Sequence, residues 1–305
     1  MNKAGASLTN KKKNKFKITP YLFIAPQIIL FLVFFVAPAI IGVYAAFTKW
    51  DIFSTELPKF IGLDNFKEIL GNQDSSYYRL FREGLRNTLT FVVLSVPFCI
   101  VVPMLMAVAL NAKPKGHHLF QALFYMPNVL SISTVVLIWY YLFNRNLGLI
   151  NNVIHAKVNW LGAQPFTWSA IIIITVWWTI GGNMVIYQAA LAGVSTDILE
   201  SASIDGAGRF IKFIRITLPS IRNQLAYTIV LTTILQFNIY GQPLMLTNGG
   251  PNNSTNVLLM VIRQLAFPSN GGKSLSGIAA AMALMLGAII IVIALFQYKY
   301  SSNEE

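Results

Sequence analysis

Residues 277–296 read GIAAAMALMLGAIIIVIALF. Twenty residues pass without a charge, an amide or a hydroxyl. A helix of that length rises about 30 Å, the thickness of a bilayer's hydrocarbon core. A helix in a soluble fold needs one apolar stripe; this one is apolar on every face. The stretch predicts a membrane-spanning helix.

It is not alone. Setting aside the charged residues that bound them, six runs lack Asp, Glu, Lys and Arg: Ile18–Lys49, Arg86–Lys113, Lys115–Arg145, Lys157–Asp197, Arg222–Arg263 and Lys273–Lys299. Their apolar centres fall at 21–47, 88–110, 119–143, 169–191, 225–246 and 277–296. Six transmembrane helices follow, an all-α membrane protein. The chain has 305 residues, 55% hydrophobic and 11% charged, with a mean hydropathy of +0.59. A soluble domain carries about 25% charged residues, so this chain cannot coat a water-facing globule. It is too apolar to stay disordered. Transmembrane strands would show alternating segments of about ten residues, and none occur. The first run follows six lysines but is too long for a signal peptide and lacks a small-residue cleavage site. The chain divides into a basic tail (1–20), a first helix (21–47), an outer segment (48–85), a five-helix core (86–299) and a short tail (300–305).

Net charge is +12. Lys3, Lys11, Lys12, Lys13, Lys15 and Lys17 crowd the N-terminal tail without an acid. Juxtamembrane lysines attracted to anionic lipid explain them more simply than nucleic acid does. The positive-inside rule then places both termini in the cytoplasm, with the 48–85 segment outside. Outside that long segment, 13 basic residues fall inside and 4 outside. The single cysteine, Cys99, lies in an apolar run and reads as a small buried hydrophobe.

Three loops carry content. In Pro58–Gly71, the spacing of Phe66, Ile69 and Leu70 predicts a short interfacial helix. The alternative is a loop packed on the bundle. Thr247-Asn248-Gly249-Gly250-Pro251-Asn252-Asn253 is a turn signal on the outer face. Gly271-Gly272-Lys273-Ser274 mimics the end of a phosphate loop, but the glycine required at 267 is Phe267.

The loop at 195–219 differs. Ser195 or Thr196 can cap a helix whose first turn holds Asp197 and Glu200. Gly206 ends or bends that helix. Phe210, Phe213 and Ile214 form the apolar stripe of a second short helix, closed by Pro219. A helix–turn–helix with exposed apolar side chains suits docking into a groove of another protein; an ordinary interfacial loop is the plainer reading.

Here the sequence resembles a known family. Glu200, Ser201 and Ala202, then Gly206, then Ile216, Leu218 and Pro219 are similar to the "EAA" loop of permease subunits in bacterial ABC importers. Asp205-Gly206-Ala207 before Phe213, Thr247–Pro251, and Asn87-Thr88-Leu89 opening the second helix resemble the carbohydrate-uptake branch, the maltose-type and glycerol-phosphate-type permeases. Ser201 departs from the family's usual alanine, one small residue for another.

The resemblance implies a type I importer fold. A second homologous permease, two ATPase subunits and an extracytoplasmic solute-binding protein would be the partners. ATP and magnesium would reside on the ATPases, leaving this chain without a cofactor. Glu200, Ser201, Ala202, Asp205, Gly206, Ala207, Arg209 and Phe213 would form the ATPase-coupling loop, with Glu200 anchored by charge-assisted bonds. Positions at the family's distances from Glu200 would line the sugar site: Thr175, Trp178, Thr179, Gly182 and Asn183 on the fourth helix; Thr232, Gln236, Ile239 and Tyr240 on the fifth. Their chemistry fits, since amides and hydroxyls bond sugar hydroxyls and aromatic rings stack on sugar faces. The same residues could instead bond between helices. None is charged, which suits a neutral sugar better than an anionic substrate such as glycerol-3-phosphate.

Gly181 and Gly182 offer close helix approach. Ala279, Ala283 and Gly287 form a small-residue stripe read as a packing face. A secondary transporter would carry ionisable residues inside its helices, and none occur here. An enzyme is disfavoured because His117, His118 and His155 form no metal or nucleophile constellation.

Overall fold

The computed structural model describes residues 19–269 and 271–302. The lysines of the N-terminal tail lie outside the described residues. The chain divides into two units, one ending at Tyr44 and one starting at Ala45.

The first unit contains α1 (Thr19–Phe31), a π-helical turn (Leu32–Val36) and most of α2 (Ala37–Ala46). Leu22–Ala46 makes one 25-residue apolar span with mean hydropathy 2.7. Phe31 and Phe35 stack across the turn at 5.1 Å.

The second unit opens with a two-stranded antiparallel hairpin, β1 (Thr48–Lys49) and β2 (Lys59–Phe60). Next comes α3 (Asp64–Leu70), within the segment where the spacing predicts a short helix. Asn65 seats it by donating to the carbonyls of Ala46 (2.8 Å) and Thr48 (2.9 Å). Its predicted apolar residues do not share one buried face. Ile69 is buried and Phe66 half-buried against Phe47, while Leu70 is exposed.

The long α4 (Ser76–Asn111) starts well before the charge-free run, capped by Ser75, whose hydroxyl accepts from the Tyr77 N–H. Loss of charge marks where the bilayer can begin, and a helix is free to extend beyond it. The third run is not one straight helix. α5 (His117–Val129) and α6 (Ile132–Leu142) meet at 104°. After α7 (Leu149–Val153) comes α8 (Phe166–Ala192), the axis of this unit. The 195–219 loop forms α9 (Thr196–Ile204), α10 (Arg209–Lys212), a π-helical turn (Phe213–Thr217) and α11 (Leu218–Ser220). Pro219 sits inside α11, and the helical run that begins at Arg209 continues one residue past it, to Ser220. The break falls at Ile221. The fifth run is bent by 43° into α12 (Arg222–Phe237) and α13 (Gly241–Thr247). Last come α14 (Leu258–Ala266) and α15 (Ser276–Ser302), the latter running through the start of the expected tail.

By length and composition, the described residues hold four helices that can cross a membrane, or up to six spans if each bent pair counts as one. α8 packs along α4 and α5, and α12 packs against α4 and α15. Gly181 permits the close approach of α5: an added Cβ would lie 2.8 Å from Tyr125 Cα. Gly182 serves no such purpose, its nearest neighbour being Asn128 Oδ1 at 3.9 Å. The small-residue stripe of α15 is likewise not a packing face in this chain. Ala283 is exposed and Gly287 has open space beside it, although Ala279 is buried. The packed row is Ile278, Ala281, Met282 and Leu286, whose larger side chains fill the core beside Phe237 and Leu258.

Candidate functional site

The 195–219 loop is built on a turn that only glycine adopts easily. Gly206 has φ +79. Its N–H donates to Ser203 O (3.2 Å), and the next N–H, of Ala207, reaches Ala202 O (2.9 Å). These two bonds close α9 in a Schellman motif, with Gly206 in the left-handed position. Lys212 Nζ ties α10 back to α9 through the Ser203 hydroxyl at 2.8 Å. At the other end, Ser195 holds the cap position, but its side chain makes no capping bond.

α9 and α10 bury none of their residues. Glu200, Ser201, Asp205 and Arg209 are exposed, and Ala202, Ala207 and Phe213 are half-buried. Ile204 is 88% exposed and Phe210 76% exposed. The predicted stripe is therefore mostly open: Phe210 and Ile214 face outward, and only Phe213 is partly covered.

The candidate sugar residues come together around the bends. Trp178 donates its indole N–H to Leu130 O (3.1 Å), at the break between α5 and α6. A Cβ on Gly241, just past the α12–α13 break, would collide with Ile132 Cδ1. Both broken spans thus meet beside α8. Irregular backbone at membrane depth is tolerated where protein buries it or where it lines a cavity. Tyr240, at the second break, is half-buried under the Arg263 guanidinium, 5.8 Å from the ring centre.

Three of the polar candidates converge on Cys99, and a fourth, Thr232, joins through Asn183. Asn183 Nδ2 donates to Cys99 O (2.9 Å) and Thr232 Oγ1 (3.0 Å). Thr179 Oγ1 and Gln236 Nε2 approach Cys99 Sγ at 3.9 and 3.6 Å. In this arrangement Asn183, Thr232 and Gln236 bond between helices, the second of the two roles open to them. Thr175 is 1% exposed, donates to Ile171 O and accepts from Gln242 Nε2. Ile239 is buried. Trp178, Thr179, Gly182 and Tyr240 keep partly open surface.

Asn128 and Gln242 are the residues that sequence reasoning missed. Asn128 is exposed opposite Gly182, and Gln242 is buried against Thr175. A signal existed in Pro127, Ser131 and Pro243. Pro127 leaves the Leu123 carbonyl one turn back without its helical donor, Pro243 stands in the first turn of α13, and Ser131 caps α6 by accepting from Thr134 N at 3.3 Å.

The loop after α13 is tethered to α4. Asn87 Nδ2 donates to Asn253 O (2.8 Å) and Asn256 O (3.0 Å), and the Leu258 N–H donates to Thr88 Oγ1 (2.9 Å). Asn87 and Thr88 therefore lie well inside α4 rather than at its opening, and they hold the turn that contains Gly249 at φ +85.

Residues 74–302 match the model of a family described as binding-protein-dependent transport system inner membrane component. A relative from Bacillus subtilis (strain 168), named "probable ABC transporter permease protein YesP", is 33% identical over 99% of this chain and 96% of its own. A permease of Thermoanaerobacterium thermosulfurigenes, named for transport of starch degradation products (AmyD), is 29% identical over 97% of this chain and 98% of its own. A solved bacterial ABC transporter that imports the acidic polysaccharide alginate superposes with a TM-score of 0.78 at 24% identity, covering 93% of this chain and 95% of that one.

Proposed function

The chain belongs to the family of binding-protein-dependent transport system inner membrane components, and from that premise we propose that it is one of two paired permeases in an ATP-driven importer of sugars or oligosaccharides. It is a multi-pass membrane protein with the type I ABC importer permease fold. One observation carries the sugar reading. Two broken spans meet beside α8, where the rings of Trp178 and Tyr240 are half-buried, the candidate polar side chains of α8 and α12 are uncharged hydroxyls and amides, and the Arg263 guanidinium lies over Tyr240. Rings bind the apolar faces of sugars, and neutral polar groups bond their hydroxyls. The sugar-named relative supports the same substrate class.

On this reading the termini are cytoplasmic and α9 enters a cleft of an ATPase subunit. The Glu200 carboxylate accepts charge-assisted bonds there. Ile204 and Phe210 lose their exposure to water. ATP and magnesium stay on the ATPases. Closure of the ATPases moves α9 and α10 as one piece, because the Gly206 turn and the Lys212–Ser203 bond join them. That rigid displacement turns the pathway toward a binding protein outside. Since Leu130 holds the Trp178 N–H, the ring face of Trp178 is what remains for a sugar.

The test is uptake of a panel of labelled sugars by a strain lacking this gene, with and without the gene restored. One sugar class is expected to accumulate in an ATP-dependent way, and Trp178→Ala is expected to abolish that accumulation while the complex still assembles. Restored strains that take up no sugar, or that do so on a proton gradient without ATP, overturn the reading.

A further inference from the structure

An open groove of about 770 Å³ runs along the flank of α4. Two rows of side chains at steps of four residues form it. One holds Arg82, Arg86, Thr90 and Leu94; its neighbour holds Leu85, Leu89 and Val93. Residues four apart stand one above the other on a helix, so both arginines fall at one end of the groove, beside Ile69, Leu70, Tyr78 and Phe81, and the other end is apolar.

The depth of each end follows from the sequence. Arg86 is the last charge before the run that stretches to Lys113. The arginines therefore stand at the membrane surface with Leu85 between them, and Leu89, Val93 and Leu94 enter the hydrocarbon. From Arg86 to Leu94 the helix rises about 12 Å, most of one leaflet's hydrocarbon depth of about 15 Å. Both arginines are exposed, and neither has a carboxylate partner among the described residues, where the ion pair formed is Lys67 with Asp64.

We propose that this groove binds one anionic phospholipid. The guanidiniums hold the phosphodiester, and one acyl chain lies against Leu85, Leu89 and Val93. Guanidinium forks match phosphate oxygens, and the orientation read from the sequence puts this headgroup in the outer leaflet. With two cations and no acid lining the groove, a net-negative headgroup is favoured over a zwitterionic one. The proposal needs only that the chain spans a membrane, so it stands or falls independently of the sugar reading.

The experiment uses the transporter purified in mild detergent with the subunits that accompany it. Phosphatidylglycerol or phosphatidylcholine with the same acyl chains is added, and retained lipid is counted by native mass spectrometry. Wild type is expected to retain one phosphatidylglycerol in clear preference. Arg82→Gln with Arg86→Gln is expected to lower its occupancy roughly tenfold or more. Leu89→Trp fills the apolar end, leaves the arginines in place, and is expected to displace the lipid too. Equal retention of the two lipids by wild type, or unchanged phosphatidylglycerol in both variants, overturns the proposal. So does efficient disulfide cross-linking of Leu89→Cys to another subunit, because the groove is then covered by protein.

Discussion

The side-chain amide of Asn183 donates to the backbone carbonyl of Cys99 at 2.9 Å. That carbonyl points at position 103, where the i+4 donor of a regular helix would be, and Pro103 has no N–H to give. Asn183 supplies the missing donor from the neighbouring helix and also bonds Thr232 on a third. One amide therefore joins α4, α8 and α12 where Pro103 interrupts the hydrogen bonding of α4.

Asn183→Leu should destabilise the protein by about 1–3 kcal/mol, because the Cys99 carbonyl is left dry and unpaired. Restoring an N–H at 103 should relieve part of that loss. A double-mutant cycle with Pro103→Ala, read by thermal unfolding in detergent, should therefore show a favourable coupling of at least ~0.5 kcal/mol. Equal damage by Asn183→Leu in both backgrounds would rule out this role.

Gly181 and Gly182 should behave oppositely. A Cβ at 181 runs into the Tyr125 backbone, so Gly181→Ala should cost about 1–3 kcal/mol by forcing α5 away from α8. At 182 the nearest atom is 3.9 Å away, so Gly182→Ala should be neutral or slightly stabilising in unfolding assays. A matching loss in both variants would contradict the close approach at Tyr125.

Removing the tether to the outer loop should loosen that loop and little else. Asn87→Ala leaves the carbonyls of Asn253 and Asn256 without their donor. Amide exchange measured by mass spectrometry should quicken over 247–258, by a factor matching roughly 1 kcal/mol of lost local stability. Unchanged protection there would show that the turn holds itself.

Glu200→Lys should release the ATPase subunits without affecting membrane insertion. The structure leaves only Asp197 in the first turn of α9, with Glu200 midway along it, so the dipole adds little and the substitution acts by opposing the basic partner expected of Glu200. Co-purification of the ATPases is the readout. Gly206→Ala should act more mildly, straining the left-handed turn by about 1–2 kcal/mol. Undiminished co-purification in Glu200→Lys would remove Glu200 from the docking surface.

The sequence was legible where a single residue type dominates a stretch. Absence of charge located every span, and Gly206 located the α9–α10 turn. It was less legible where two signals compete. Pro127, Ser131 and Pro243 announced helix breaks, but they sat inside apolar runs long enough to cross a bilayer, and length won. The polar stripes of α8 and α12 were visible, yet spacing cannot say whether an amide meets a ligand or another helix. Asn183 finds the Cys99 carbonyl because of a proline on a different helix, and no local pattern carries that information. The packed row of α15 is hidden in a run that is apolar on every face, where the small-residue spacing stands out but Ile278, Met282 and Leu286 fill the space.

Ile204 and Phe210 stand almost bare on α9 and α10. A chain produced in excess of whatever covers them presents two large apolar side chains to water on a short, marginally stable helical hairpin. Chaperones and membrane proteases select such surfaces. On the proposed docking, the two residues that would serve assembly also mark the unassembled copy for removal, so the cellular level of this subunit should follow its partners' supply more closely than its own rate of synthesis.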